Sequence, residues 1–173
     1  MEFVFSYPMK VSCVPVKGFH LTLQADNKAN QKLARNHAIL GVDKFSADLH
    51  VFLWENDGLR VKGSIKASVR QKCIITAEVV ENDIDWNFDV FYISQKYQLD
   101  RREVFLDGVD DFDVFDGNEI DLGAVVEESF ELSLDLYPRK SGASFDLMFD
   151  LLPEKKEISR FSHFSVLRFL KNS

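Results

Sequence analysis

The sequence contains little cysteine, little proline and no long apolar run. Its two cysteines, Cys13 and Cys73, are sixty residues apart, so they indicate neither a disulfide framework nor a thiolate metal pair. No window approaches the roughly eighteen consecutive apolar residues that a membrane-spanning helix requires. The first residues show neither the pattern of a secretory signal nor that of a transit peptide. We therefore expect a cytoplasmic protein without a membrane partner.

Positive charge is outnumbered by negative charge. The 173 residues include 21 Lys and Arg against 28 Asp and Glu, which gives a formal net charge of -7. This balance argues against wholesale binding to a phosphate backbone, which basic proteins achieve through counterion release. Any nucleic-acid contact would have to be local. The hydrophobic content of 46% is ordinary for a globular protein, so we expect residues 1–173 to form a single domain.

Polar and apolar residues alternate strictly between residues 59 and 73, and the polar positions of this stretch are mostly basic. The odd positions are small or apolar except Gln71, and five of the seven even positions are basic. A period of two predicts a strand with one buried and one solvated face, whereas a helix would spread the lysines around its axis. The five basic residues, called the basic stripe below, are Arg60, Lys62, Lys66, Arg70 and Lys72. We predict that this stripe contacts RNA or a protein partner.

A purely structural interpretation of the basic stripe stays open. The strand signal at residues 84–92 carries Asp83, Asp85 and Asp89 on its polar side. If that strand neighbours the stripe, opposite charges on adjacent strands would attract modestly, by about 0.2–1 kcal/mol per pair.

The remaining pattern predicts an α+β fold. Residues 45–54 and 59–73 alternate around a turn that contains Gly58, which indicates an antiparallel hairpin. Extended, β-branched residues continue to 80, and Asn82-Asp83 is predicted to turn the chain. Two main helices, at about 27–40 and 121–136, and a short C-terminal helix are expected to pack on a twisted antiparallel sheet, either open or partly closed like a barrel.

Two irregular segments are predicted, an acidic flexible loop at 95–119 and a loop-rich segment at 139–160. The acidic loop does not fit a calcium-binding EF-hand, because a frame that starts at Asp111 has Asp116 where glycine is needed and Leu122 where glutamate is needed. No metal and no cofactor are therefore predicted. Cys73 shares the parity of the buried positions, which favours a packing role over a nucleophilic one.

Four segments, in order, resemble the YceD family, the large ribosomal RNA subunit accumulation proteins. They are residues 71–80 (QKCIITAEVV), the glycine-containing strand 58–67 before them, residues 120–140 with LSLDLYPRK at their end, and residues 162–171 (SHFSVLRFLK). The box at 71–80 is most similar to that of the alphaproteobacterial branch. The residues that match the family pattern are Gly63, Gln71, Cys73, Thr76, Glu78, Glu127, Pro138 and Arg139. Many members have C-x-x-C at the box, but Arg70 occupies the earlier position here, so a thiolate zinc site is not supported.

The resemblance implies a non-enzymatic factor for large-subunit ribosomal RNA accumulation and ribosome assembly. The family is frequently encoded beside a large-subunit ribosomal protein, so either such a protein or a short ribosomal RNA segment is the expected partner. Two alternatives from other classes are a metal-dependent hydrolase or nuclease that uses the acidic loop, and a barrel-like protein that binds a small apolar ligand.

Overall fold

The computed structural model of the chain describes residues 3–54, 58–95 and 112–144. Its elements follow one another as β1 (Pro8–Lys10), β2 (Phe19–Gln24), α1 (Asn27–Asn36), β3 (Gly41–Trp54), β4 (Gly58–Lys72), β5 (Val79–Ser94), β6 (Asp113–Phe115), β7 (Glu119–Asp121) and α2 (Leu122–Ser133). The predicted C-terminal helix lies outside the described residues. So do most of the predicted acidic loop, within whose range β6 lies, and the loop-rich segment beyond residue 144.

The main sheet has five strands in the order β2-β3-β4-β5-β6. The pairs β2–β3, β3–β4 and β4–β5 are antiparallel, and β6 pairs in parallel with β5. A second, two-stranded sheet joins β1 to β7. The α+β class and the antiparallel sheet are therefore confirmed, and the sheet is open rather than closed into a barrel.

Strand β4 is central, with β3 on one side and β5 on the other, and its predicted alternation is confirmed. Leu59, Val61 and Ile65 are each 0% exposed. The even-numbered side chains of β4 therefore lie on the opposite face, called the outer face below. The predicted hairpin is also confirmed, with Trp54 opposite Gly58 at its closed end.

Both helices begin at a capping aspartate. Asp26 accepts a hydrogen bond from the backbone N–H of Ala29 (2.8 Å), and Asp121 accepts one from that of Gly123 (2.8 Å). Each carboxylate satisfies a backbone donor that has no partner within its helix. The helices cover the inner face of the sheet, where Phe130 of α2 meets the edge of Phe45 in β3 with ring centroids 5.2 Å apart.

Three predicted boundaries were wrong. Helix α2 ends at Ser133 rather than near residue 136. Helix α1 ends at Asn36 rather than near residue 40, because Ala38 takes a positive φ of 52° that breaks the helix. The chain also does not stay extended from 73 to 80. Residues 74–76 form a turn and β5 already begins at Val79, so Asn82 and Asp83 lie within a strand. The β-branched residues there have strand propensity, but hydrogen bonds described below override it.

Gly63 is the position of β4 where a side chain would collide with the neighbouring strand. It pairs with Phe88 of β5, whose ring covers the glycine so closely that an added Cβ would lie 2.2 Å from Cζ. The ring takes the space that a side chain at residue 63 would fill. This packing gives a structural reason for the glycine at position 63.

We expect Gly63→Ala to lower the free energy of unfolding by about 1–3 kcal/mol, because Phe88 must leave its position. Urea denaturation measures the change, and Ser64→Ala on the outer face is the matched control. The double variant Gly63→Ala, Phe88→Leu should recover part of the loss. An unchanged midpoint for Gly63→Ala would show that the ring moves aside without cost.

Candidate functional site

The basic stripe lies on the outer face of β4, as its parity predicts. Lys62, Lys66 and Lys72 are exposed, whereas Arg60 and Arg70 are half-buried. Residues two apart on one face of a strand are about 6.6–6.8 Å apart, so the steps from Lys62 to Lys66 and from Lys66 to Arg70 are about 13 Å. The five side chains therefore form a line along the middle of the sheet, and what neutralises each of them decides whether the line is available to a partner.

Two cations at one end share a single carboxylate. Arg60 donates two hydrogen bonds to Asp89, from Nε to Oδ1 (2.9 Å) and from Nη2 to Oδ2 (2.7 Å). Lys62, directly opposite Asp89 in the register, has its Nζ 3.4 Å from Oδ2. The hydrogen bond from Arg60 is the main reason that the pKa of Asp89 is lowered. Two positive groups and one negative group leave this end with a net positive charge.

Arg70 is held at the other end of the stripe. Its Nη2 lies 3.0 Å from Oδ1 of Asp43, and its guanidinium covers Gly41, where an added Cβ would lie 2.5 Å from Nη2. Gly41 is the register partner of Arg70 across the β3–β4 pair. The charge of Arg70 is thus partly neutralised within its own chain, and its side chain is held in place by packing on Gly41.

Lys66 and Lys72 form no ion pair or hydrogen bond with any residue in the described part of the chain. Lys66 is opposite Asp85 in the register, but no salt bridge closes between them. Lys66 instead borders an open surface groove of about 350 Å³, together with Lys44, Ser46, Ser68, Asp83 and Asp85. Of the three aspartates predicted to pair with the stripe, only Asp89 forms a salt bridge to it among the described residues, while Asp83 accepts a hydrogen bond from Ser68 (2.7 Å).

A second group of sequence-predicted residues meets at the end of β4. The turn after Cys73 closes with Cys73 N–H donating to the carbonyl of Glu78 (2.8 Å), and Ile74 N–H donates to the carbonyl of Pro138 (3.0 Å). Glu78 also forms a salt bridge to Lys140 Nζ at 3.0 Å. These contacts fasten the turn at residues 74–78 to the segment that follows α2, and we call the assembly the clasp.

Gln71 belongs to the same clasp. Its side chain is 6% exposed, its Nε2 donates to the carbonyl of Asp135 (2.8 Å), and its Oε1 accepts from Asn82 Nδ2 (3.2 Å). A buried amide with both ends bonded links β4 to β5 and to the end of α2. Arg139, the last predicted residue of this group, is exposed.

The Cys73 thiol is buried, which confirms its predicted parity, and sits within the clasp. It is 2% exposed, and its Sγ accepts from the backbone N–H groups of Thr76 and Lys140, both at 3.4 Å. Hydrogen bonds from the Thr76 hydroxyl and from these two N–H groups lower the pKa of Cys73 to about 6, although burial opposes the shift. The structure thus favours a thiolate that is shielded from reagents.

Glu127 joins three parts of the chain in the core. This α2 carboxylate is 1% exposed and accepts from Val4 N–H (2.6 Å) and from Asn36 Nδ2 (2.7 Å). His37 Nε2 lies 3.6 Å from its Oε1. The contacts connect α2 to the amino-terminal segment and to the end of α1. Glu127, like Gln71, therefore has a positioning role in the fold.

One feature of the outer face was missed from the sequence. His50, Phe52 and Trp54 occupy alternate positions of β3 and share the face of the basic stripe, where solvated strands usually carry polar side chains. Phe91 of β5 faces them, with its ring centroid 4.8 Å from that of Trp54. The rings at the even positions of β3 were the signal in the sequence that could have indicated this feature. Their contact with Phe91 could not be predicted, because it depends on the register of the strands.

The described residues contain neither a metal-binding group nor a candidate membrane span. Within them, no three His, Cys, Asp or Glu side chains come together as a possible metal site. The aspartates of the predicted hydrolase alternative lie largely outside these residues. No described helix is long and apolar enough to cross a bilayer.

Comparison with known proteins gives one match. Residues 61–160 match the family model described as "Large ribosomal RNA subunit accumulation protein YceD". The matched range begins within β4 and includes the clasp and all of α2. No curated protein and no solved structure matches the chain.

We expect the Cys73 thiol to ionise with a midpoint near pH 6, well below its ordinary value of 9.0. Ultraviolet absorbance of the thiolate, compared between Cys13→Ser and Cys13→Ser, Cys73→Ala proteins, measures this midpoint. Because the folded pKa is the lower one, the thiolate stabilises the fold fully above pH 9, and this contribution is lost as the pH falls through 6. A midpoint at or above the ordinary value would contradict the hydrogen bonds to Sγ.

Proposed function

Because the chain belongs to the YceD family, we propose that it is a non-enzymatic factor for large-subunit ribosomal RNA accumulation that acts by binding through its outer face. The family description connects it with accumulation of the large ribosomal RNA subunit and names no reaction. The proposal adds the mode of action, which is binding of a large-subunit component, and its place, which is the basic stripe.

This proposal is supported by the incomplete neutralisation of the basic stripe. Lys66 and Lys72 extend from the middle strand of the sheet without an ionic partner among the described residues, and Lys62 shares its carboxylate with Arg60. A cation that is not neutralised within its own molecule can replace counterions on a phosphate backbone. A line of such groups on a flat surface suits a short stretch of RNA in a protein of net charge -7.

A ribosomal protein is the second candidate partner, favoured by a different surface. Burial first, and then the carboxylates of Asp113 and Glu131, raise the pKa of Glu128 on α2. Like charges held close together favour a cationic neighbour, and ribosomal proteins are strongly basic. This acidic surface includes residues of α2 and β6, away from the stripe, so variants of one surface can be tested against the other.

We expect the double variant Lys66→Glu, Lys72→Glu to bind large-subunit ribosomal RNA fragments at least about tenfold more weakly at moderate salt. The slope of log affinity against log salt should fall by roughly one for each lysine replaced. The matched control is Lys10→Glu, Lys28→Glu, which changes net charge equally on β1 and α1. In cells that lack the native protein, the stripe variant should fail to restore the level of large-subunit RNA.

The same two variants are titrated with isolated large-subunit ribosomal proteins. Loss of RNA binding with protein binding retained supports the stripe as an RNA surface. If both bindings and the cellular RNA level match those of the unmodified protein, the stripe has only a structural role and the proposal is wrong.

A further inference from the structure

The outer face of the sheet is divided into two unlike halves. Its half toward the clasp carries the short polar and charged side chains usual for a solvated sheet. The half toward the β3–β4 turn carries aromatic and imidazole rings from β2, β3 and β5. The members of this ring cluster are His20 of β2, His50, Phe52 and Trp54 of β3, and Phe91 of β5.

The rings contact one another in two groups. His20 and His50 are stacked with centroids 3.7 Å apart and an interplanar angle of 23°, and His50 contacts Phe52 at 3.8 Å. Trp54 contacts Phe91 edge to face at 4.8 Å. His20 is exposed and the other four rings are half-buried. Ring surface is therefore accessible above a rigid sheet, which suits a binding platform better than a packed core.

Cations of the stripe border the ring cluster directly. The guanidinium carbon of Arg60 lies 4.7 Å from the centroid of Phe91, while the same group is hydrogen-bonded to Asp89. Lys62 is the register partner of His50, and its side chain is 47% exposed. The arrangement combines π surface with positive charge along one strand.

The surroundings of His50 disfavour the charged form of its imidazole. Burial first, followed by the nearby His20 and Lys62, lowers the pKa of His50, so this ring is neutral at physiological pH. The Asp48 carboxylate on the same face accepts a hydrogen bond from Thr22 (2.6 Å). A neutral ring exposes a π face on which another flat ring can stack without displacing a charge.

We propose that the ring cluster binds single-stranded RNA by stacking unpaired bases on its rings, with the adjacent phosphates held by Arg60 and Lys62. This inference rests on the proposed function and deepens it, since it names the structural class of RNA that the outer face takes. Single-stranded nucleic acid is bound in this way, by aromatic platforms beside cationic grooves, because every base has a π face. Bases within a duplex are not available for such stacking.

The test uses the full chain with Trp86→Phe, so that Trp54 is its remaining tryptophan. Trp86 is the register partner of the core residue Ile65, which places it on the opposite face from the cluster, and it is 40% exposed. The probes are single-stranded RNA of roughly ten nucleotides, in adenine and uracil versions, and a duplex of the same length. Trp54 fluorescence and labelled-RNA anisotropy are read together.

We expect both single strands to quench Trp54 and to bind more tightly than the duplex. Phe91→Ala and Phe52→Ala should each weaken binding roughly 5- to 150-fold, while Phe91→Tyr, which keeps a ring, should bind as the parent does. Tyr137→Ala, an aromatic 67% exposed in the segment after α2, is the control that should change nothing. Circular dichroism verifies that each variant is folded.

Three results would overturn the inference. They are preferential binding of the duplex, affinity unchanged in folded ring variants, and ring variants that lose binding to a large-subunit ribosomal protein but not to RNA. Failure here is distinguishable from failure of the proposed function. If Lys66→Glu, Lys72→Glu abolishes RNA binding and the ring variants do not, the ring cluster does not bind RNA, whereas the basic stripe does. If the ring variants lose oligonucleotide binding, but neither they nor the stripe variant change the level of large-subunit RNA in cells, the ring cluster binds RNA and the proposed function is wrong.

Discussion

The register of β4 between β3 and β5 is the constraint on which the rest of this structure depends. The strand buries a row of apolar side chains under two helices and carries its cations on the other face. Side chains alternate with a period of two, so a slip of one residue would place five cations in the core. The desolvation of even one unpaired cation costs several kcal/mol, so the fold strongly specifies this register.

The clasp fixes the same register from the end of the strand. Gln71 reaches the carbonyl of Asp135, Ile74 N–H reaches that of Pro138, and Glu78 pairs with Lys140. These residues lie within the range 61–160 that matches the family model, and each has a positioning role that the described contacts explain. The clasp and the core carboxylate Glu127 hold the sheet, whereas the side chains proposed to meet a partner lie on its outer face.

The local sequence pattern correctly predicted the features that depend only on residues close together in the chain. The alternation in β4, the hairpin with β3 and the buried Cys73 all follow from sequence periodicity and from the turn signal at Gly58. The turn at 74–78 was missed because part of what holds it comes from a distant segment, since Ile74 N–H donates to Pro138 and Glu78 pairs with Lys140. The ring cluster was missed because Trp54 and Phe91 meet only through the registers of two strand pairs. Periodicity identifies the face of a strand but not which neighbour lies across from it.

The central claim is that the outer face, with its stripe and rings, is where this YceD-family protein meets large-subunit ribosomal RNA. Ultraviolet cross-linking in living cells, followed by mass spectrometry of the protein–RNA adducts, tests it most directly. The account predicts adducts on the β3 and β5 peptides that carry Phe52, Trp54 and Phe91, with large-subunit sequences in the recovered RNA. Adducts confined to α1 and α2, or recovered RNA without large-subunit sequences, would contradict it.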